Sequence, residues 1–284
     1  MRHWVLALTA LALLGCAPKP QPADPALWHV ESAEGHEGWL FGTIHSAPRP
    51  LEWETPAVRD ALDHAGTIMV EVANIADEAA VGATFARLAK SEGQPPLSQR
   101  IDPSERPALA VLLKQNGFHD DDFSKVDTWA AALTIVRDDG KDGSDPRYGV
   151  DRAVIAKADG RPVIELEGAA RQLGIFDALP EKDQRDLLNL VVREATKPDL
   201  DLPSAWRKGD MKAIEKETRT GLLADPGLRA ALFTGRNRRW AGKIAGAVNA
   251  GRKPFVAVGA AHMAGPEGLP AMLERQGFKV TRVE

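Results

Sequence analysis

A short motif, Gly-x-x-His, occurs twice in this chain, near its opposite ends. The first copy is Gly42-Thr43-Ile44-His45 and the second is Gly259-Ala260-Ala261-His262, and each follows an apolar run typical of a buried strand. The glycine is expected to let the backbone turn sharply where the strand ends. Each histidine then follows the carboxyl end of a strand, where open α/β sheets place their ligands. The two histidines can meet only in a fold that brings these distant strands together.

From the residues alone, two interpretations of the motifs stay open. The motifs are either turns with incidental histidines or a metal or acid/base site. Glu71, within the apolar stretch 67–72, has the same ambiguity. It lies on a solvated face, or at a strand end where it binds a cation or pairs with a histidine, because a buried charge without a partner is costly. Glu165 and Glu167 flank Leu166 and so share one face of a strand end. They are either simply a polar strand end, or one of the two carboxylates faces the same crevice as the histidines.

The order of apolar and amphipathic segments predicts the fold class. Strands are expected near both ends of the chain and helices through its middle. This pattern predicts an α/β fold, with a central mixed β-sheet flanked by helices and an inserted helical lobe in the middle of the chain. The 284 residues carry a net charge of −4 with both signs mixed along the chain. We therefore expect one domain over residues 28–284 and no nucleic acid as a partner.

The N-terminus has the features of an export signal. Residues 4–14 are apolar apart from Thr9, which is too short a run to span a bilayer comfortably. The run ends in Leu13-Leu14-Gly15-Cys16, which resembles a bacterial lipobox. We predict a lipoprotein signal peptide over residues 1–15, lipidation of Cys16 and a flexible tether over residues 16–27. The alternative is an ordinary cleaved signal with an incidental cysteine.

Cysteine usage and the absence of common signatures narrow the chemistry further. Cys16 is the only cysteine, so the body has no disulfide and no cysteine nucleophile. The sequence has no His-Glu-x-x-His, Gly-x-Ser-x-Gly, phosphate-binding loop or Gly-x-Gly-x-x-Gly. The common hydrolase, nucleotide and dinucleotide signatures are therefore missing.

The chain resembles the TraB/GumN family, which includes the Tiki membrane metalloproteases. The likeness covers roughly residues 28–284, and its core is the pair of Gly-x-x-His motifs with an intervening glutamate. The matching segments are Leu40-Phe41-Gly42-Thr43-Ile44-His45, Val70-Glu71-Val72, Tyr148-Gly149-Val150-Asp151, Glu165-Leu166-Glu167 with Gln172, Arg236-Asn237-Arg238-Arg239-Trp240, and Val258-Gly259-Ala260-Ala261-His262 with Gly265.

The resemblance implies a fold similar to the haem-binding ChaN proteins and the erythromycin esterases, and a divalent-metal-dependent hydrolase. It assigns the metal to His45, Glu71 and His262, and it matches the family's Arg-Asn pair to Arg236 and Asn237. Two imidazoles and a carboxylate suit Mn, Co or Zn. Three protein ligands leave a position for a water whose pKa the metal lowers.

The remaining roles stay divided between residues at this stage. Glu167 or Asp151 is the expected general base, and Arg236 or Asn237 is expected to stabilise the developing oxyanion. The sequence thus predicts a peptidase-like hydrolase in the bacterial cell envelope, anchored by lipid, facing the periplasm or in the outer membrane. Its substrate would be a peptide or a small molecule. The alternative is a non-catalytic envelope lipoprotein that binds haem or another ligand.

Overall fold

A six-stranded mixed sheet forms the centre of the molecule, for which a computed structural model describes residues 19–136, 143–195 and 202–284. The predicted signal peptide and Cys16 lie outside these residues. Two further strands, β1 and β4, form a separate parallel pair. The strands are β1 (Gln21–Pro22), β2 (Leu27–Glu31), β3 (Glu37–Thr43), β4 (Leu51–Glu52), β5 (Thr67–Val70), β6 (Val163–Glu165), β7 (Pro254–Gly259) and β8 (Lys279–Arg282).

The sheet has the strand order β6-β5-β7-β3-β2-β8. Strands β6, β5, β7 and β3 are parallel, whereas β2 is antiparallel to both of its neighbours. Strand β7 lies between β5 and β3, so the two strands that carry the Gly-x-x-His motifs are paired. Gly42 is opposite Val258 and Thr43 is opposite Gly259. The α/β fold with a central mixed sheet is confirmed.

Twelve α-helices surround the sheet in the described part of the chain, none of them long and apolar enough to cross a membrane. As an example of the local signals, Thr55 caps the first helix, its Oγ1 accepting a hydrogen bond from the Val58 N–H at 3.2 Å. The helices are α1 (Pro56–His64), α2 (Glu78–Leu88), α3 (Arg106–Gln115), α4 (Thr128–Ile135), α5 (Val150–Ala156), α6 (Ala169–Asp177), α7 (Glu181–Glu194), α8 (Leu202–Arg207), α9 (Met211–Glu217), α10 (Pro226–Arg229), α11 (Gly235–Asn249) and α12 (Leu269–Glu274).

Both faces of the sheet are covered, because successive side chains of a strand point to opposite sides. Phe41 and Phe255 pack with α1 and α5 on one face, whereas Leu40 and Val256 pack with α11 and α12 on the other. A third apolar cluster lies within the helical lobe, where α3, α4 and α7 pack around the fully buried Trp129. These layers are the flanking helices and inserted lobe that the sequence predicts.

The segment before β2 is packed against the body. Gln21 and Pro22 pair with Leu51 and Glu52 of β4. Ala23, Ala26 and Leu27 are buried, because these small and apolar side chains fit the clusters on the two faces of the sheet. The tether predicted over residues 16–27 is therefore too long, since the chain from Gln21 onward is part of the folded body.

Candidate functional site

Four polar side chains follow the carboxyl ends of the four parallel strands. His45 lies two residues beyond β3, Glu71 directly after β5, Glu167 two residues beyond β6, and His262 three residues beyond β7. The carboxyl ends of parallel strands lie at one edge of a sheet, which is the usual ligand site of open α/β folds. The topology therefore gathers residues from distant parts of the sequence at one edge.

His262 is buried and held in one orientation. It lies in the turn Ala260–Met263, and its Nδ1–H donates to Oδ1 of Asn237 at 2.5 Å. The Asn237 amide is itself oriented, because its Nδ2 donates to the Glu267 carbonyl at 2.7 Å. The ring packs against Trp240 at a centroid distance of 4.6 Å, and burial lowers the pKa of His262 to about 4. His262 is therefore neutral, with an unprotonated Nε2.

Arg236 joins two buried carboxylates. Its Nη2 donates to Oε2 of Glu71 at 2.6 Å, and its Nε donates to Oε2 of Glu167 at 2.8 Å. The guanidinium also lies 4.5 Å from the Trp240 ring centroid, a cation–π contact. Its Nη1 is 3.4 Å from Nε2 of His262. One cation thus links strand ends β5, β6 and β7.

A π-helical segment precedes Arg236 and Asn237 and directs their side chains toward this edge of the sheet. Residues Ala230–Thr234 are π-helical between α10 and α11. A π turn inserts one extra residue, and such segments occur frequently at functional sites. The segment ends directly before α11, so its extra residue sets the direction in which the side chains of the first turn of α11 project.

Glu71 accepts three hydrogen bonds. Oε1 accepts from the Gly259 N–H at 2.8 Å, and Oε2 accepts from Gln172 at 3.0 Å as well as from Arg236. Burial raises the pKa of Glu71, but its electrostatic coupling to His262, the charge of Arg236 and the Gly259 N–H outweigh burial and hold the pKa below its usual value. Glu71 is therefore an ionised carboxylate inside the protein and not a residue on a solvated face.

His45 is fixed through the same ring nitrogen as His262. Its Nδ1–H donates to Oδ2 of Asp151 at 2.6 Å, and this hydrogen bond raises the pKa of His45 above its usual value. The His45 side chain is 62% exposed, whereas that of Asp151 is 10% exposed. The Asp151 carboxylate is held in turn by the Arg152 N–H at 2.8 Å. His45 thus presents Nε2 outward from a buried partner.

Close backbone contacts explain two glycines near the site. A Cβ on Gly42 would lie 3.0 Å from Cα of Ala260, so this glycine allows the first motif to pack against the second. A Cβ on Gly149 would lie 2.4 Å from the His45 carbonyl oxygen. Gly42 and Gly259 are strand residues, and neither has a positive φ. The expectation that the motif glycines make sharp turns is therefore wrong, since close packing is what requires Gly42.

A cavity of about 630 Å³ opens at this edge, lined by His45, Glu71, Arg236 and His262 among others. The side chain of Thr43 also lines it. Thr43 is 2% exposed, and its Oγ1 has no hydrogen-bond partner among the described residues.

The predicted catalytic carboxylate Glu167 does not line this cavity. Its side chain is 1% exposed and lies behind Arg236, where Arg239 also approaches it at 3.5 Å. Asp151 likewise is not among the lining residues and acts on His45 instead. Glu165 is exposed and accepts a hydrogen bond from the Ala73 N–H at 2.8 Å. Neither candidate for the general base thus reaches the cavity directly.

The predicted metal ligands His45, Glu71 and His262 share the cavity wall. Within residues 19–136, 143–195 and 202–284, however, no group of three or more His, Cys, Asp or Glu side chains is arranged to hold a metal ion. The guanidinium of Arg236 lies beside both Glu71 and His262. The metal site stays a prediction.

Sequence reasoning missed some of the supporting residues. Thr43 and Trp240 stand within the motifs, but nothing in their local sequence indicates an unpaired hydroxyl or a ring against His262. The pairing of Asp151 with His45 was missed as well. These contacts join residues far apart in the chain, and only the topology shows them.

Comparison with known proteins gives one family and two bacterial relatives. The model of the TraB/PrgY/gumN family matches residues 26–282. The chain is 28% identical over 239 residues to the uncharacterized protein YbaP of Escherichia coli (strain K12), covering 82% of this chain and 86% of that protein. YbaP of Shigella flexneri matches to the same extent. No solved structure matches the chain.

Proposed function

Because this chain belongs to the TraB/PrgY/gumN family, as its sequence predicts, we propose that the cavity at the strand ends is the active site of a divalent-metal-dependent hydrolase of amide or ester bonds. One observation supports this most directly. The Nδ1 atoms of His45 and His262 are both held by buried partners, Asp151 and Asn237. Both rings therefore present Nε2 at one cavity, where Nε2 of His262 also lies 3.4 Å from Nη1 of Arg236. A partner on the second ring nitrogen is the usual support of a metal-bound histidine.

The donor chemistry fits a divalent metal. His45 and His262 would bind it through Nε2, and Glu71 would supply a carboxylate. When bound, such an ion lowers the pKa of a coordinated water and polarises the carbonyl of the substrate.

Arg236 has a separate role in this proposal. Glu71 and Glu167 accept hydrogen bonds from its Nη2 and Nε. Among the described residues, its Nη1 contacts only the Leu232 carbonyl and His262, at 3.3 and 3.4 Å. These are long contacts, so Nη1 retains the capacity to donate a strong hydrogen bond. Arg236 therefore stabilises an oxyanion that develops in the cavity.

Glu167 and Asp151 act as positioning residues in this proposal. Glu167 holds the plane of the Arg236 guanidinium, and Asp151 holds the ring of His45. Asn237 does the same for His262 and fixes the proton on Nδ1. Each of these contacts fixes a cavity-lining group without contacting the substrate.

Metal binding by the full chain tests the proposal. We expect about one Mn, Co or Zn per chain after loading and desalting, measured by inductively coupled plasma mass spectrometry. His45→Ala should lose that metal. It should also lose the ability to hydrolyse a peptide library, which mass spectrometry monitors. His119→Ala is the matched control, because the His119 side chain is 83% exposed and does not line the cavity.

Two outcomes would contradict the proposal. The first is a His45→Ala protein with unchanged metal content and unchanged hydrolysis. The second is a wild-type protein that binds no divalent metal, hydrolyses no peptide and gives a Soret band on haem titration, which would favour the non-catalytic alternative.

We further propose that the protein is a lipid-anchored component of the bacterial cell envelope. The support for this is the lipobox-like Leu13-Leu14-Gly15-Cys16, which ends shortly before the folded body begins at Gln21. Several acyl chains give firm anchoring, whereas one chain binds only marginally.

A further inference from the structure

We infer that the ion pair between Arg229 and Glu267 positions His262, an inference that rests on the proposed metal-binding role of this histidine. Neither residue of the pair lines the cavity, and neither side chain is hydrogen-bonded to His262. Two separate sets of contacts lead from the pair to the imidazole, one through the amide of Asn237 and the other through the ring of Phe233. The pair therefore determines which ring nitrogen of His262 is free to bind a ligand.

The carboxylate of Glu267 is held at both oxygens. Oε2 accepts hydrogen bonds from Nε of Arg229 at 2.8 Å and from its Nη2, whereas Oε1 accepts from Oγ1 of Thr234 at 2.8 Å. The hydrogen bond with Arg229 lowers the pKa of Glu267, so the carboxylate is ionised at neutral pH. Hydrogen bonds to an ionised group are stronger than those between neutral groups. Glu267 is thereby tied to α10 and to the π-helical segment Ala230–Thr234.

The first set of contacts fixes the amide of Asn237. Glu267 lies in an irregular segment between the turn of His262 and α12, so no helix or strand sets the direction of its carbonyl group. That carbonyl accepts from Nδ2 of Asn237 at 2.7 Å, and Oδ1 of Asn237 accepts from Nδ1–H of His262 at 2.5 Å. Because a carbonyl group can only accept, the Asn237 amide must point its NH2 group at Glu267 and its oxygen at His262.

Loss of that orientation would move the proton on His262. If the amide of Asn237 rotated by half a turn, its NH2 group would face Nδ1, which would then have to accept. The single proton of the neutral imidazole would move to Nε2, the nitrogen that the ring presents at the cavity. A protonated Nε2 cannot bind a metal ion. The side chain of Glu267 prevents this change, because its two anchored oxygens hold its own carbonyl in place.

The second set of contacts acts on the face of the imidazole. The guanidinium carbon of Arg229 lies 5.0 Å from the Phe233 ring centroid, and the Phe233 ring stacks on His262 at a centroid distance of 5.5 Å. Nη1 of Arg229 donates to the Thr218 carbonyl and, at 3.3 Å, to the Leu223 carbonyl. Thr218 and Leu223 line the cavity. The same arginine thus joins the ring that stacks on His262 to a wall of the cavity.

The effect expected from this pair is local rather than global. Its side chains are 21% and 35% exposed, and ion pairs that water reaches contribute little to the free energy of unfolding. Residues that hold a metal-bound histidine, in contrast, change metal affinity about 10–100-fold when they are replaced. Glu267 acts through Asn237, one contact further from the metal, so we expect a change of about tenfold.

The full chain carrying Glu267→Leu tests the inference with two measurements. Two-bond proton–nitrogen NMR in the presence of EDTA shows which nitrogen of His262 carries the proton, and the spectrum of His262→Gln identifies the signal. We expect the proton on Nδ1 in the wild type and a mixture of Nδ1 and Nε2 forms in Glu267→Leu. The dissociation constant for Mn, Co or Zn, whichever the wild type binds most tightly, should rise about tenfold.

Further variants control for general effects of the substitution. Glu54→Leu should leave both measurements unchanged, because Glu54 is 29% exposed, pairs with Lys157 at 2.9 Å and does not line the cavity. Arg229→Met should reproduce both changes, and combining it with Glu267→Leu should add little, because both substitutions break the same ion pair. Glu267→Gln keeps the shape of the side chain but weakens the pairing with Arg229. It should show a smaller change in the same direction, and it replaces Glu267→Leu if that protein does not fold.

A proton that stays on Nδ1 of His262 in the Glu267 and Arg229 variants would overturn the inference. A loss of metal affinity no larger than that of Glu54→Leu would overturn it as well. The proposed hydrolase can fail separately, since a wild-type protein that binds no divalent metal refutes it, while the tautomer in the metal-free variants still decides the inference. Metal binding and hydrolysis by the wild type, with an unchanged tautomer in Glu267→Leu, refute the inference alone.

Discussion

Replacing Arg236 by methionine removes the cation that joins the buried carboxylates behind the cavity. The side chains of Arg236, Glu71 and Glu167 are 9, 10 and 1% exposed, and the two ion pairs measure 2.6 and 2.8 Å. Methionine keeps an unbranched side chain against Trp240. It leaves the charges of the two carboxylates without the arginine that pairs with them. Breaking a buried ion pair from one side costs about 3–5 kcal/mol, because the remaining charge stays out of water. We expect the free energy of unfolding to fall by about that amount at neutral pH.

Arg100→Met provides a matched control for the loss of a buried arginine. Arg100 is 1% exposed, and it donates to the backbone carbonyls of Pro95, Phe123 and Val126. Its replacement leaves carbonyl groups unpaired but leaves no charge behind. We expect a loss of about 1–3 kcal/mol that does not change with pH.

The pH dependence distinguishes the two variants. In the wild type the pKa of Glu71 lies below its usual value of 4.5, so its ionised form stabilises the fold above that pH and this contribution is lost on acidification. Arg236→Met removes one of the interactions that lower the pKa of Glu71, so this pKa rises relative to the wild type and proton uptake relieves the unpaired charge at a higher pH. The difference in stability between wild type and Arg236→Met should therefore be largest near neutral pH and shrink as the pH falls.

Urea unfolding followed by tryptophan fluorescence, in the presence of EDTA, measures these quantities. The measurement is made between about pH 8 and pH 5 on the wild type and on both variants. A loss below about 1 kcal/mol for Arg236→Met would refute the reasoning, since a surface ion pair contributes no more than that. A loss that is equal at all pH values would refute it as well.

Three further expectations follow from single contacts. Thr43→Val removes a hydroxyl that has no partner among the described residues, so thermal unfolding should show equal or higher stability, and a loss above about 1 kcal/mol would contradict this. Asp151→Asn should lower the pKa of His45 in an NMR titration of the ring protons, because the hydrogen bond with Asp151 raises it. Since a raised pKa stabilises the fold at low pH and this contribution is lost as the pH rises through it, Asp151→Asn should cost more stability near pH 5.5 than near pH 8.5, and a cost that is equal at both would contradict this reasoning. Cys16→Ser should abolish incorporation of labelled fatty acid and release the protein from the membrane fraction, whereas unchanged labelling would show that Cys16 is not acylated.

The sequence could predict the elements whose signals are local. The apolar runs before Gly42 and Gly259 predict β3 and β7, and the placement of both histidines at strand ends follows from them. The sequence does not predict strand β2 (Leu27–Glu31), because this strand is short and mixes His29 and Glu31 with its apolar residues. Its pairing with β3 and β8 decides its conformation, and this is tertiary information.

The candidate site could be predicted less completely. The residues that line the cavity stand in motifs, but their partners depend on contacts across the fold, such as Asp151 with His45. The sequence offers Glu167 or Asp151 as the general base. The structure instead places Glu167 behind Arg236, which no local pattern indicates. Spacing in the sequence identifies which side chains reach the sheet edge, whereas packing decides which of them face the cavity.

The position of β7 between β3 and β5 has a consequence for how the protein is made. Trp39 of β3 pairs with Phe255 of β7, so one central ladder joins residues separated by most of the chain. During synthesis β3 and β5 emerge long before β7, and each has an open edge until β7 arrives. Contacts of such long range fold slowly and leave strand edges exposed in the meantime. A nascent or truncated chain that ends before β7 can neither close its sheet nor assemble a site, so we expect it to aggregate or be degraded.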